Sequence, residues 1–167
     1  MLVGLVSIIT VAQVNGSRPK LVVGIVVDQL RTDYIESLES LFGEKGFKRL
    51  MKEGAYLRDV DFVVANPDAV NATAMTYTGN YPSKNGVVAS SIYNAEKHKS
   101  EASLNDPSSI GNFTTETYSP HNLMLSTISD EVKIDGAGLG AVYSIALDPQ
   151  QAIIMAGHAG NSAFWIN

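Results

Sequence analysis

A chain of 167 residues with 45% hydrophobic content holds one sizeable core and leaves little room for a second. Its 17 acidic residues outnumber 12 scattered Lys and Arg, giving a net charge of -5, so a nucleic-acid binder working through a basic face is excluded. The absence of cysteine excludes disulfides, thiolate metal sites and thiol nucleophiles together.

Residues 1–16, MLVGLVSIITVAQVNG, carry a short apolar run followed by small and polar residues. The run is too short for a transmembrane span, and the pattern predicts a secretory signal peptide and export to the periplasm or outer surface, although no basic residue precedes it. No integral membrane span is expected, and residues 17–167 are left for the fold. KLVVGIVVDQL then gives an almost unbroken apolar run over 21–27, the pattern of a strand buried on both faces, with Asp28 at its carboxyl end. Thr32 or Asp33 can cap a helix through Tyr34, Ile35, Leu38 and Leu41, closed by Gly43. A second helix places Phe47, Leu50 and Met51 on one face and stops at Gly54. YLRDVDFVV, from Tyr56, predicts another strand.

After NPD, the residues Val70, Ala74 and Tyr77 keep helical spacing, with Thr73, Thr76 and Asn80 on another face and Gly79 as the stop. Residues 95–120 are polar and aperiodic, which predicts an excursion or surface loop. Helical spacing resumes through Leu125, Ile128 and Val132, with Ser119 as cap and Pro120 at the first helical position. GAVYSIAL and QAIIMAGHAG read as two strands flanking an Asp148–Pro149 turn. Alternating strands and helices define an α/β layer architecture with a largely parallel sheet flanked by helices.

Ligands of such sheets gather beyond the carboxyl ends of strands, where Asp28, the helix start near Ala69 and the loop YTGNYPSKNG meet. Residue type alone leaves two roles open for Asp28, a metal or anion site and a turn or cap. The segments V-V-D-Q-L-R, T-G-N-Y-P-S-K-N-G and S-P-H-N-L, in this order, resemble the amino-terminal part of the alkaline phosphatase superfamily, specifically exported bacterial phosphatases close to type I phosphodiesterases and nucleotide pyrophosphatases. The resemblance extends over nearly everything after Lys20. It implies metal-dependent hydrolysis of a phosphate-ester small molecule with two zinc ions, Asp28 as one metal ligand, and a threonine or serine at a helix amino terminus as nucleophile. The remaining ligands implied by the family, an Asp with a His four residues on, an Asp-His pair and a distant His, have no match in these residues, so the fold is read as incomplete in this chain.

Against that family pattern the sequence departs at each substrate-contacting position. Counting back nine residues from Thr78, the nucleophile position is Ala69, whose methyl group can neither attack phosphorus nor bind metal. Thr73 lies one helical turn further on, about 6 Å along the axis, too far to substitute. The phosphate-contact positions fall on Ser90, Asp148 and Gln150, with an acid and an amide where the family pattern has a lysine and an arginine. His158 is read as structural, and His98 and His121 as solvent-facing. The sequons at Asn71 and Asn112 matter only if the source glycosylates exported proteins. Two functions follow: a phosphate-ester hydrolase with impaired activity, or a non-catalytic pseudophosphatase acting as a binding or cell-surface protein.

Overall fold

A computed structural model describes residues 19–166, so the expected signal peptide lies outside the described residues. The described part runs from residues 21–27 to α1 (Thr32–Leu38), continued by a 3-10 turn at Glu39–Leu41, and α2 (Phe47–Glu53). Arg31, not Thr32, occupies the N-cap of α1 and pairs with Asp33 at 2.7 Å. The two strands expected over 21–27 and from Tyr56 are absent as ladders. The reason is positional: a strand exists only through a neighbour, and neither stretch has one among the described residues. Both therefore leave their apolar side chains exposed, Leu21 at 78% and Ile25 at 81%.

Helix α3 (Ala69–Thr78) forms as its sequence dictates. Asp68 caps it in a reciprocal box with Asn71, and Gly79 ends it at φ 64°, a conformation that glycine adopts without a Cβ penalty. A short α4 (Pro82–Asn85) follows. Residues 95–120 are not featureless: β1 (Ser91–Asn94) and β2 (Lys99–Ala102) form an antiparallel hairpin across their start. The chain then turns inward to bury Leu104 completely. Polar composition hid this return, because one buried leucine per excursion leaves no periodic signal.

The helix expected from Ser119 splits in two. Ser119 does cap a 3-10 turn at Pro120–Asn122, but Leu123 is drawn into the core and the chain restarts at α5 (Ile128–Asp135) with Thr127 as its cap. Strand β3 (Tyr143–Ala146) is present, whereas the strand expected from Gln151 is a helix, α6 (Pro149–Ala156). Asp148 caps it and Pro149 takes its first position, the sequence pattern of a helix start. Its apolar run reflects burial on most sides, which erases the helical stripe. Strand β4 (Ser162–Trp165) closes the order and pairs with β3 in parallel, Ile145 opposite Phe164.

The fold is an incomplete α/β layer. Its core lies where α3 and α6 cross, with Val70, Ala74, Ile153 and Ile154 meeting Val87, Leu104 and Leu123. Each fully buried aliphatic side chain contributes about 1.5 to 3 kcal/mol. The β3–β4 pair packs one face on α6, through Ser144, Ala163 and Trp165, and leaves Tyr143, Ile145 and Phe164 exposed. Among the described residues no helix is long and apolar enough to cross a membrane.

Candidate functional site

Crossing α3 over α6 brings the two helix amino termini together, and with them the regions of the expected contact positions. Asp68 Oδ1 accepts from the Val70 and Asn71 N–H groups at 2.9 and 2.8 Å, while its Oδ2 accepts from the Ser90 N–H at 2.6 Å. Ala69 is the first helical residue beside that carboxylate. Its carbonyl accepts from Thr73 Oγ1 at 2.7 Å and from Gln151 Nε2 at 3.3 Å. Free N–H groups at a helix start are the donors an oxyanion would use. Here the chain's own acid takes those of Val70 and Asn71.

The expected clamp positions are equally committed to structure. Asp148 Oδ1 accepts from the Gln151 N–H at 3.0 Å and so caps α6. Gln150 is buried, accepting from the Leu104 N–H and donating to the Ser90 carbonyl, each at 3.0 Å. Ser90 is exposed, and both of its main-chain groups are used by Asp68 and Gln150. Two carboxylate caps and a neutral amide thus occupy this region, with no cation contributed from these positions.

All three threonines of α3 spend their hydrogens on the carbonyl four residues back: Thr73 to Ala69, Thr76 to Ala72 and Thr78 to Ala74, at 2.7 to 2.8 Å. This back-bonding is the ordinary use of a hydroxyl inside a helix. Asn71 is buried, and its Nδ2 donates to Asn66 and Val88 carbonyls, so this sequon is closed to a glycan; Asn112 is exposed.

Asp28 is exposed in the turn after residues 21–27 and has no side-chain partner among the described residues. No described hydrogen bond joins it to Ala69, Ser90, Asp148 or Gln150. Among the described residues no three His, Cys, Asp or Glu gather in a set able to hold a metal ion. A zinc centre takes three or four protein donors, so Asp28 by itself does not complete one among the described residues.

His158 is held on both ring nitrogens, by Asp130 Oδ2 at 3.1 Å and the Leu123 carbonyl at 2.9 Å. Gly157 makes this possible, since its φ of +73° disfavours a side chain and a Cβ there would strike Thr127 and Asp130. Burial alone would push the Asp130 carboxyl up; donors from Thr127, Ala159 and His158 outweigh it and hold the group below the usual carboxylate value. Sequence reasoning assigned no role to Asp130, although T-I-S-D at a helix start is a capping-box pattern. His98 takes φ +51° in the hairpin turn, and His121 is exposed.

A family model described as Type I phosphodiesterase / nucleotide pyrophosphatase matches residues 22–165. The chain is 31% identical over 152 residues to alkaline phosphatase PhoV of Synechococcus elongatus, covering 89% of this chain and 28% of that one. It is 34% identical over 155 residues to alkaline phosphatase PafA of Elizabethkingia meningoseptica, covering 90% and 28%. A Myroides odoratus protein named as a calcium-transporting ATPase matches to the same extent, 34% over 155 residues. The crystal structure of wild-type PafA superposes with a TM-score of 0.84 at 33% identity, over 91% of this chain and 30% of that one. This chain therefore spans under a third of the length of the relatives it matches.

Proposed function

Because the chain belongs to the type I phosphodiesterase / nucleotide pyrophosphatase family of the alkaline phosphatase superfamily, we propose that it supplies the amino-terminal portion of an exported phosphate-ester hydrolase whose phosphoryl-transfer site is impaired. The observation that carries this reading is the Asp68–Ala69 step. A methyl group stands at the nucleophile position, and the neighbouring carboxylate occupies two of the helix-start N–H donors, those of Val70 and Asn71, and the N–H of Ser90. Asp148 and Gln150 support the same reading, since each is spent on holding α6 and its neighbours.

Zinc is the metal that the family resemblance implies, and it would polarise a phosphoryl oxygen when bound. The described residues assemble no such centre on their own. Asp28 is proposed as a single contributing ligand, at the end of the apolar run where the family pattern has one.

The second reading is a non-catalytic descendant that retains the frame as a binding or cell-surface protein. It is favoured by the two carboxylate caps, which make the region repel the anion that a phosphatase must hold. The test is an assay of the longest natural polypeptide carrying this sequence, for zinc content and for hydrolysis of aryl phosphate mono- and diesters. Turnover at the level of PhoV or PafA overturns the impairment. Turnover that emerges only with Ala69→Thr supports an intact frame lacking its nucleophile, and none in either form supports the binding protein.

A further inference from the structure

His158 sits where three segments meet. Its Nδ1 lies 3.1 Å from Asp130 Oδ2 in the first turn of α5, and its Nε2 lies 2.9 Å from the Leu123 carbonyl that follows the 3-10 turn. Both neighbours accept. A carbonyl oxygen has no hydrogen to give, and the Asp130 carboxylate already receives the Thr127 N–H and hydroxyl on Oδ2 and the Ala159 N–H on Oδ1, at 2.8 to 3.0 Å. A neutral imidazole has one hydrogen for two nitrogens, so it serves one of these acceptors and turns a lone pair on the other. The imidazolium serves both.

The second acceptor has a mechanical consequence. Leu123 C=O and Met124 N–H belong to one planar peptide group, and that N–H donates to the Asn85 carbonyl at 2.9 Å. Turning the plane to relieve the carbonyl turns the N–H as well. Asn85 is fully buried, with its Nδ2 on Thr78 Oγ1 and on the Asn80 carbonyl, so it anchors the loop that follows α3. The His158 side chain is 41% exposed, so protons reach the ring from solvent without unfolding. On α5 the charged group facing the ring is Asp130, while Glu131 accepts from Ser126 Oγ. The 3-10 turn carries His121, exposed and in electrostatic reach of Asp106; α6 and the turn around His158 hold no other charged side chain.

We infer that His158, Asp130 and the Leu123–Met124 peptide form a proton-operated clasp: with hydrogens on both ring nitrogens it holds residues 120–124 against the Asn85 loop, and loss of one hydrogen to water releases the Leu123 carbonyl. The hydrogen that leaves is the one on Nε2, because the bond from Nδ1 to an ionised carboxylate is the stronger. The closed form holds one proton more than the open one. The clasp is therefore closed below the ordinary imidazole range, about pH 6.5, and opens as pH rises through and above it. It uses neither Ala69 nor Asp28, so it operates whether or not the transfer site is active.

The test follows the Met124 amide in the longest natural polypeptide carrying this sequence, as a hydrogen-exchange protection factor, a ratio that removes the intrinsic effect of pH on exchange. From about pH 5.5 to about pH 8.5, protection is expected to fall about tenfold in the parent and to stay within about twofold in His158→Gln, which does not titrate. Ring-nitrogen correlation spectra of the parent answer independently of any variant. They are expected to show two protonated nitrogens at the lower pH and a hydrogen on Nδ1 alone at the higher. A parent protection factor that does not change with pH, an equal fall in His158→Gln, a ring that keeps both hydrogens at the higher pH, or a neutral ring with its hydrogen on Nε2 overturns the proposal.

Discussion

Gln151 Nε2 donates to Thr73 Oγ1 at 3.0 Å while that same hydroxyl donates to the Ala69 carbonyl at 2.7 Å. Thr73 is thereby fixed between two helices, its hydrogen and an acceptor lone pair both in use. Thr73→Val is expected to lower stability by about 0.5 to 1.5 kcal/mol, because the half-buried Gln151 amide loses one of its two acceptors and keeps only the longer bond to the Ala69 carbonyl. The check is a urea melt in which the midpoint falls and the slope does not. If a longer natural form hydrolyses phosphate esters, the same substitution is expected to leave kcat within about twofold; loss of turnover at unchanged stability would instead make Thr73 the nucleophile.

Asp68 serves three N–H groups at once, two on its own helix and one on Ser90. Asp68→Ala is expected to cost about 1 to 2 kcal/mol or somewhat more, and Asp68→Asn less, because a side-chain oxygen still caps the helix. A melting series on the three proteins measures it. Equal destabilisation by Ala and Asn would mean that the negative charge at the helix start, rather than the cap itself, dominates.

Gln150 separates a structural role from a phosphate-contact role. With its carbonyl on the Leu104 N–H and its amide on the Ser90 carbonyl, Gln150→Ala is expected to destabilise by about 1 to 3 kcal/mol. Gln150→Arg is expected to destabilise as well, since a longer, charged side chain would have to be seated where Gln150 is buried and both of its hydrogen bonds are lost. Improved orthophosphate affinity in Gln150→Arg without a stability penalty, measured by calorimetry, would contradict this.

Asp130 makes stability depend on pH. Its folded carboxyl lies below the ordinary value of 3.8, so on acidification the unfolded chain takes up this proton first. The contribution is complete above the unfolded value and is lost as pH falls through the folded one, that is, from about pH 5 downward. Urea midpoints between pH 7 and 3 are expected to fall less steeply for Asp130→Asn than for the parent. Parallel curves would show that Asp130 is not the linked group.

What could be read before folding was local. The α3 helix from NPD to Gly79 carries its own cap, its own stop and an apolar spacing, and the structure places it at Ala69–Thr78. The register that selects Ala69, Ser90, Asp148 and Gln150 came from family pattern; the fold joins Gln150 to Ser90 directly and sets Ala69 and Asp148 at two helix starts bridged by Gln151. Missed were elements whose identity depends on distant neighbours. QAIIMA reads as a strand because Ile153 and Ile154 are both buried, when the informative residues were the cap Asp148 and Pro149 before them.

The opposite error occurred at residues 21–27. Their composition specifies a strand for the middle of a sheet, yet a ladder needs another edge, and none meets them among the described residues. By itself, then, the sequence determined what depends on neighbours in the chain: caps, stops, apolar runs and the methyl group at position Ala69. Only the tertiary structure decided which hydrogen bonds those residues spend, with Asp68 on Ser90, Gln150 on Leu104 and Gln151 on Thr73. Such contacts join residues up to 78 positions apart, and no local pattern records them, because chain folding alone brings the two groups within reach.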